Sequence, residues 1–84
     1  MGLSPVYTSF IGLCIDLNSE ESVLSALAEM EDIVEVFTMM QPFDLFVKVR
    51  AENVRKLEST AQEILKLEGV QKSYNFLTVQ QKKG

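Results

Sequence analysis

Hydrophobic positions along this chain recur at two periods, alternate residues and about every 3.6 residues, and the changes of period divide it into six elements. From Val6 to Leu17 the run is rich in β-branched and aromatic residues, which predicts a long first strand. Alternation puts Ile11, Leu13 and Ile15 on one face and Phe10, Gly12, Cys14 and Asp16 on the other. Asn18 with Glu21 three residues later has the spacing of a helix cap. Val23, Leu24, Leu27 and Met30 then repeat at helical spacing to about Glu31, and Asp32, which tolerates the left-handed conformation, is expected to end the helix. Ile33 to Met39 reads as a second strand, with Val34 and Val36 on one face and Glu35, Phe37 and Met39 on the other. Pro42 interrupts the pattern, since a central strand has no use for a proline. Phe43 to Arg50 is the third strand; Leu45, Val47 and Val49 face one way, Asp44, Phe46, Lys48 and Arg50 the other. A second helix is expected from about Glu52 to Leu67, with Val54, Leu57, Ala61, Ile64 and Leu65 as its buried stripe and Glu52 early and Lys66 late to suit the helix dipole. Gly69 is its expected C-terminal cap. Val70 to Val79 is the last strand. Its faces stay undecided, because Tyr74 and Phe76 oppose Leu77 and Val79 unless a bulge intervenes. Met1–Pro5 and Gln80–Gly84 are polar or irregular tails.

The order β-α-β-β-α-β, with each strand–helix–strand unit crossing over right-handed, predicts an α+β fold. It is the ferredoxin-like βαββαβ plait: a four-stranded antiparallel sheet with both helices on one face. The halves echo each other, Glu31-Asp32-Ile33-Val34 after the first helix matching Glu68-Gly69-Val70-Gln71 after the second. The 84 residues make a single domain, 1–84. A chain this short buries only about 60% of its unfolded surface and commonly leans on partners. The longest near-apolar run, Phe10 to Ile15, falls far below the roughly 20 residues of a membrane helix. No base precedes Lys48, so a secretion signal is not expected. Cys14 is the one cysteine, which fits a reducing compartment, and the expected location is cytoplasmic.

That plait leaves one sheet face without helices. Phe10, Gly12, Cys14, Phe37, Met39 and Phe46 fall on it, a patch that monomers seldom expose. Two covers come into question: a second copy of the chain, or stacked nucleic-acid bases. RNA-recognition motifs share this topology and carry aromatics on their central strands. Charge decides between them. The chain is −4 overall. Asp16, Glu35 and Asp44 lie on the open face, and the third strand reads Phe43-Asp44-Leu45-Phe46-Val47 without the basic–Gly–aromatic pattern. Direct nucleic-acid binding is therefore not expected. Charge is also uneven: residues 1–47 hold acids and no base, and every Lys and Arg falls in 48–84.

Catalytic chemistry has little to work with. The chain has no histidine, no Cys-X-X-Cys pair and no Gly-rich phosphate loop. No enzyme activity, metal site or cofactor is expected. Glu20-Glu21 and Glu31-Asp32 sit at helix ends, where acids serve dipoles and turns. Asp44, following Gln41-Pro42 at a strand start, is placed either to catch an ammonium group or simply to end a turn.

Four segments together resemble the effector-binding (RAM) domain of the Lrp/AsnC family of regulators. They are the long first strand, Ile33-Val34-Glu35-Val36, Phe43-Asp44-Leu45-Phe46-Val47-Lys48-Val49, and Leu67-Glu68-Gly69-Val70-Gln71-Lys72-Ser73. The resemblance runs from about Val6 to Gln80. In two places the chain departs from the family's pattern: Gln41-Pro42 stands where a glycine is usual, and Asn75 where threonine or serine is usual. The resemblance implies a module that senses an amino acid or related metabolite, with Gln41, Phe43, Asp44, Ser73 and Asn75 at the ligand site. It implies pairing through the sheet face, with Phe10, Cys14, Phe37, Met39 and Phe46 at the dimer interface, and dimers closing into rings, commonly octamers. Full-length family members carry a helix-turn-helix domain ahead of this one, and no such segment is read here. The implied route to transcription is therefore co-assembly with a full-length relative. The alternatives are an ACT-like small-molecule module and an assembly protein without ligand.

Overall fold

The computed structural model describes residues 6–84; the expected tail Met1–Pro5 lies outside them. The elements are β1 (Tyr7–Ile15), α1 (Glu20–Ala28), β2 (Ile33–Thr38), β3 (Leu45–Ala51), α2 (Val54–Leu65) and β4 (Val70–Leu77). The strands form one antiparallel sheet in the order β2-β3-β1-β4, with β1 and β3 central. This is the ferredoxin-like α+β plait that the periodicity predicts.

The core lies between the sheet's aliphatic face and the helices. Ile11, Leu13, Ile15, Leu45, Val47 and Val49 from the central strands meet Val23 and Leu27 of α1 and Leu57 and Ile64 of α2. Each is nearly or wholly removed from water, which stabilises the fold by about 1.5–3 kcal/mol per large side chain.

Several local expectations give way. β1 stops at Ile15, because the Asp16 carboxylate accepts from the Asn18 backbone N–H at 3.1 Å and turns Leu17–Ser19 into a short 3-10 turn. Asn18 is therefore no helix cap; the N-cap of α1 is Ser19, without a side-chain cap bond. Asp32 is not left-handed: among the described residues only glycines have positive φ, and α1 closes at Glu29 in right-handed geometry. Asp32 serves otherwise, its carbonyl accepting from Arg50 N–H at 2.9 Å and its carboxylate from the Thr60 hydroxyl at 3.2 Å. α2 is capped by Asn53, whose side chain accepts from Lys56 N–H at 2.8 Å, so Glu52 lies outside the helix. Thr60 takes a buried place on α2, whereas Val54 and Leu65 stay exposed.

Both edge strands open with a bulge. On β2 the register steps from Ile33–Val49 to Glu35–Lys48, leaving Val34 unpaired. Ile33 and Val36 then face the core, and Val34, 47% exposed, does not share their face. On β4 the register steps from Val70–Ile15 to Lys72–Cys14, leaving Gln71 unpaired. That step settles the undecided strand: Tyr74 and Phe76 pair with Gly12 and Phe10 on the open face, and Ser73, Asn75 and Leu77 turn toward the helices. Gly69 ends the α2 turn at φ +98°, and a Cβ there would overlap Ser19.

Candidate functional site

The open face carries an aromatic cluster centred on Phe43. Gly12 makes room for it, since a Cβ at that position would overlap the Phe43 ring. Phe43 then lies 5.4 Å from Tyr74, 6.1 Å from Phe76 and 6.3 Å from Phe46, centroid to centroid. Phe46 stacks on Phe10 at 5.5 Å and approaches Phe76 at 6.5 Å. These spacings fall in the range of favourable offset and tilted pairs. Phe37 pairs with Phe46 across the strands and is 50% exposed; Phe76 and Tyr74 are 49% and 45% exposed. Lys48 stands at the rim, its Nζ 6.0 Å from the Phe10 ring centre and 3.7 Å from a Glu35 carboxylate oxygen.

The sequence-predicted interface residues Phe10, Phe37 and Phe46 thus share one surface. Met39 follows on β2's open side, its N–H donating to Asp44 O at 3.0 Å. Cys14 is half-buried beside them, its thiol 3.8 Å from the Pro42 carbonyl. The periodicity missed Tyr74 and Phe76, hidden by the bulge at Gln71. It also missed Phe43 as a member of this cluster, because Phe43 precedes β3 and reaches the face from a loop.

The predicted ligand residues are dispersed by this arrangement. Phe43 belongs to the aromatic cluster. The Asp44 carboxylate accepts from Ile15 N–H at 2.9 Å through Oδ2, and Asp44 N–H donates to Leu13 O at 2.8 Å, so this residue anchors the loop to the end of β1. Gln41 is exposed in that loop. Ser73 and Asn75 stay together on the far side of β1, facing α2. They line two adjoining hollows of about 160 and 180 Å³ that share Glu58, Ala61 and Asn75. Among the described residues, no three Cys, Asp or Glu side chains gather as a metal site. No helix there is long and apolar enough to cross a membrane.

The model of the Lrp/AsnC ligand binding domain matches residues 8–84 of the chain. No curated protein sequence matches it significantly. Among solved structures, TTHA0845 from Thermus thermophilus is 29% identical with a TM-score of 0.86, over 93% of this chain and 99% of that one. Escherichia coli AsnC is 18% identical with a TM-score of 0.86, over 96% of this chain and 55% of that one. The Neisseria meningitidis transcriptional regulator NMB0573, solved as an L-Met complex, is 14% identical with a TM-score of 0.85, over 93% of this chain and 53% of that one. The chain thus spans about half the length of both of these regulators.

Proposed function

The chain belongs to the Lrp/AsnC ligand binding domain family, and from that premise we propose that it is a ligand-responsive assembly module. Two copies pair through their open sheet faces, the pairs close into larger rings such as octamers, and an amino acid or related metabolite tunes that assembly. The observation that carries the reading is the cluster of Phe10, Phe43, Phe46, Tyr74 and Phe76. Five mutually packed aromatics on a face without helices need a dry partner, and a second copy supplies a matching one. We assign Phe43 to this pairing face beside Phe10, Cys14, Phe37, Met39 and Phe46, and Asp44 to loop positioning. Ser73 and Asn75 we retain as ligand contacts, with Gln41 as a contributor from a neighbouring subunit's loop. The L-Met complex of the Neisseria regulator favours an amino acid as ligand.

The module reaches transcription, in this reading, in the cytoplasm and by joining a full-length relative. It does not touch nucleic acid itself and catalyses no reaction. The test combines sedimentation with thermal shift against the twenty amino acids. An amino acid that raises the melting temperature saturably and changes the assembly state supports the sensor reading. A stable assembly indifferent to all of them leaves an assembly protein without ligand.

A further inference from the structure

The two strand–helix–strand halves repeat closely in backbone, down to the bulges at Val34 and Gln71. Met30 N–H bonds Leu27 O at 3.1 Å and Ile33 N–H bonds Met30 O at 3.2 Å; Leu67 N–H bonds Ile64 O and Val70 N–H bonds Leu67 O at the same two distances. The two helices are therefore equivalent neighbours, and their ends show that they run antiparallel. Asp16 N–H, ahead of α1, donates at 2.8 Å to Gly69 O, beyond α2. At the other end Asp32, after α1, shares a hollow with Glu52 and Lys56 at the start of α2. The start of α1 and the end of α2 thus lie at one end of the helix layer.

The outward faces of these helices match in shape and oppose in charge. On α1, away from the buried Val23 and Leu27, the exposed positions are Glu21, Ser22, Ser25, Ala28 and, at the C-cap, Glu29. They form a flat strip of small residues with an acid at each end. On α2, away from the buried Leu57 and Ile64, the exposed stripe is Arg55, Ser59, Gln62 and, at the C-cap, Lys66, with a base at each end. Glu58 and Glu63 flank that stripe, and the six residues line a shallow hollow of about 400 Å³. None of these charges is neutralised within the chain: among the described residues the one ion pair is Lys48–Glu35. From the helical rise, the two acids stand about 12 Å apart and the two bases about 17 Å apart, a difference that long Arg and Lys side chains span.

We propose that the helix layers of two copies pack on each other, α1 of each against α2 of the other, and that this charge-matched contact joins the open-face pairs into rings. A two-fold axis running along the helices, between the facing layers, sets α1 antiparallel on α2 of the second copy. Glu21 then meets Lys66 of the second copy, Glu29 meets its Arg55, and the symmetry repeats both pairs. An exposed ion pair is weak alone, but four act together here. Packing α1 on α1, or α2 on α2, would oppose like charges, so charge selects the α1–α2 match. Two distinct two-fold contacts on one chain generate a closed assembly where their axes cross. The proposal rests on the ring reading above and names the surface that would close the ring.

The test is sedimentation velocity at about 0.05 M and about 0.5 M salt, between which the screening length shrinks about threefold. The wild-type chain forms an assembly larger than a dimer at the lower salt and a dimer at the higher. Glu21→Lys with Glu29→Lys stops at the dimer in both, as does Arg55→Glu with Lys66→Glu, each weakening association between pairs at least about tenfold. All four positions are exposed, so circular dichroism stays that of the wild type. Combining the four substitutions in one chain exchanges the two stripes and restores the larger assembly. A larger assembly indifferent to salt and to both reversals overturns the contact and leaves the ring reading standing; so does a fourfold variant that stays a dimer. A wild-type chain that is a dimer at both salts overturns the contact and the ring reading together, and pairing through the open face is untouched.

Discussion

The two halves of this molecule share a backbone plan and differ in what they pack into it. On the open face they agree: Phe37 of β2 and Tyr74 of β4 hold matching positions, and each joins the aromatic surface around Phe46 and Phe43. On the helix side they part, Leu24 and Val36 sealing one seam where Ala61 and Ser73 leave the other open. Stability alone favours the sealed version, because deleting buried carbons costs both transfer free energy and the residual cavity. The halves are therefore alike in the aromatic surface they share and unlike in how fully each helix seam is packed.

The variant expected to act most strongly strikes the shared feature. Phe46→Glu on each of two facing copies sets charges in a dry interface, costing several kcal/mol apiece, so light scattering should find monomer or unfolded chain. Next come the matched core positions Leu27 and Ile64, both fully buried. Alanine at either should cost about 2–5 kcal/mol in chemical denaturation. Near-equal losses extend the symmetry of the halves into the core; a much smaller loss at Ile64 would show that the open seam loosens the packing beside it.

Gly12→Ala probes how the open face is built. The added methyl overlaps the Phe43 ring, and a forced shift of this kind costs about 1–3 kcal/mol. It should weaken association while leaving far-ultraviolet circular dichroism unchanged. The smallest effect belongs to Thr60→Val, which removes the 3.2 Å bond to Asp32. This bond ties α2 to the turn before β2, and its loss should cost about 0.5–1.5 kcal/mol, read from the denaturation midpoint.

Much of this architecture was legible because one face of each central strand is buried, so that alternation alone sorts Ile11, Leu13 and Ile15 from Phe10, Gly12 and Cys14. The edge strands read poorly for the same reason inverted. A single unpaired residue, Val34 or Gln71, flips every side chain after it, and no local composition marks such a bulge. The packing of Phe43 against Tyr74 and Phe76 is invisible in the sequence because a loop residue carries no period. The seam was half legible: Ser73 and Asn75 stood out through family resemblance, whereas Glu58 and Gln62 look like any solvated helix residues until β4 is placed against them.

Sedimentation velocity of the wild-type chain at micromolar concentration tests the central claim, pairing through the aromatic face, most directly. The predicted result is a dimer or a larger multiple of the 9.5 kDa chain, persisting in high salt because the contact is apolar. A stable, folded 9.5 kDa monomer under the same conditions would contradict it.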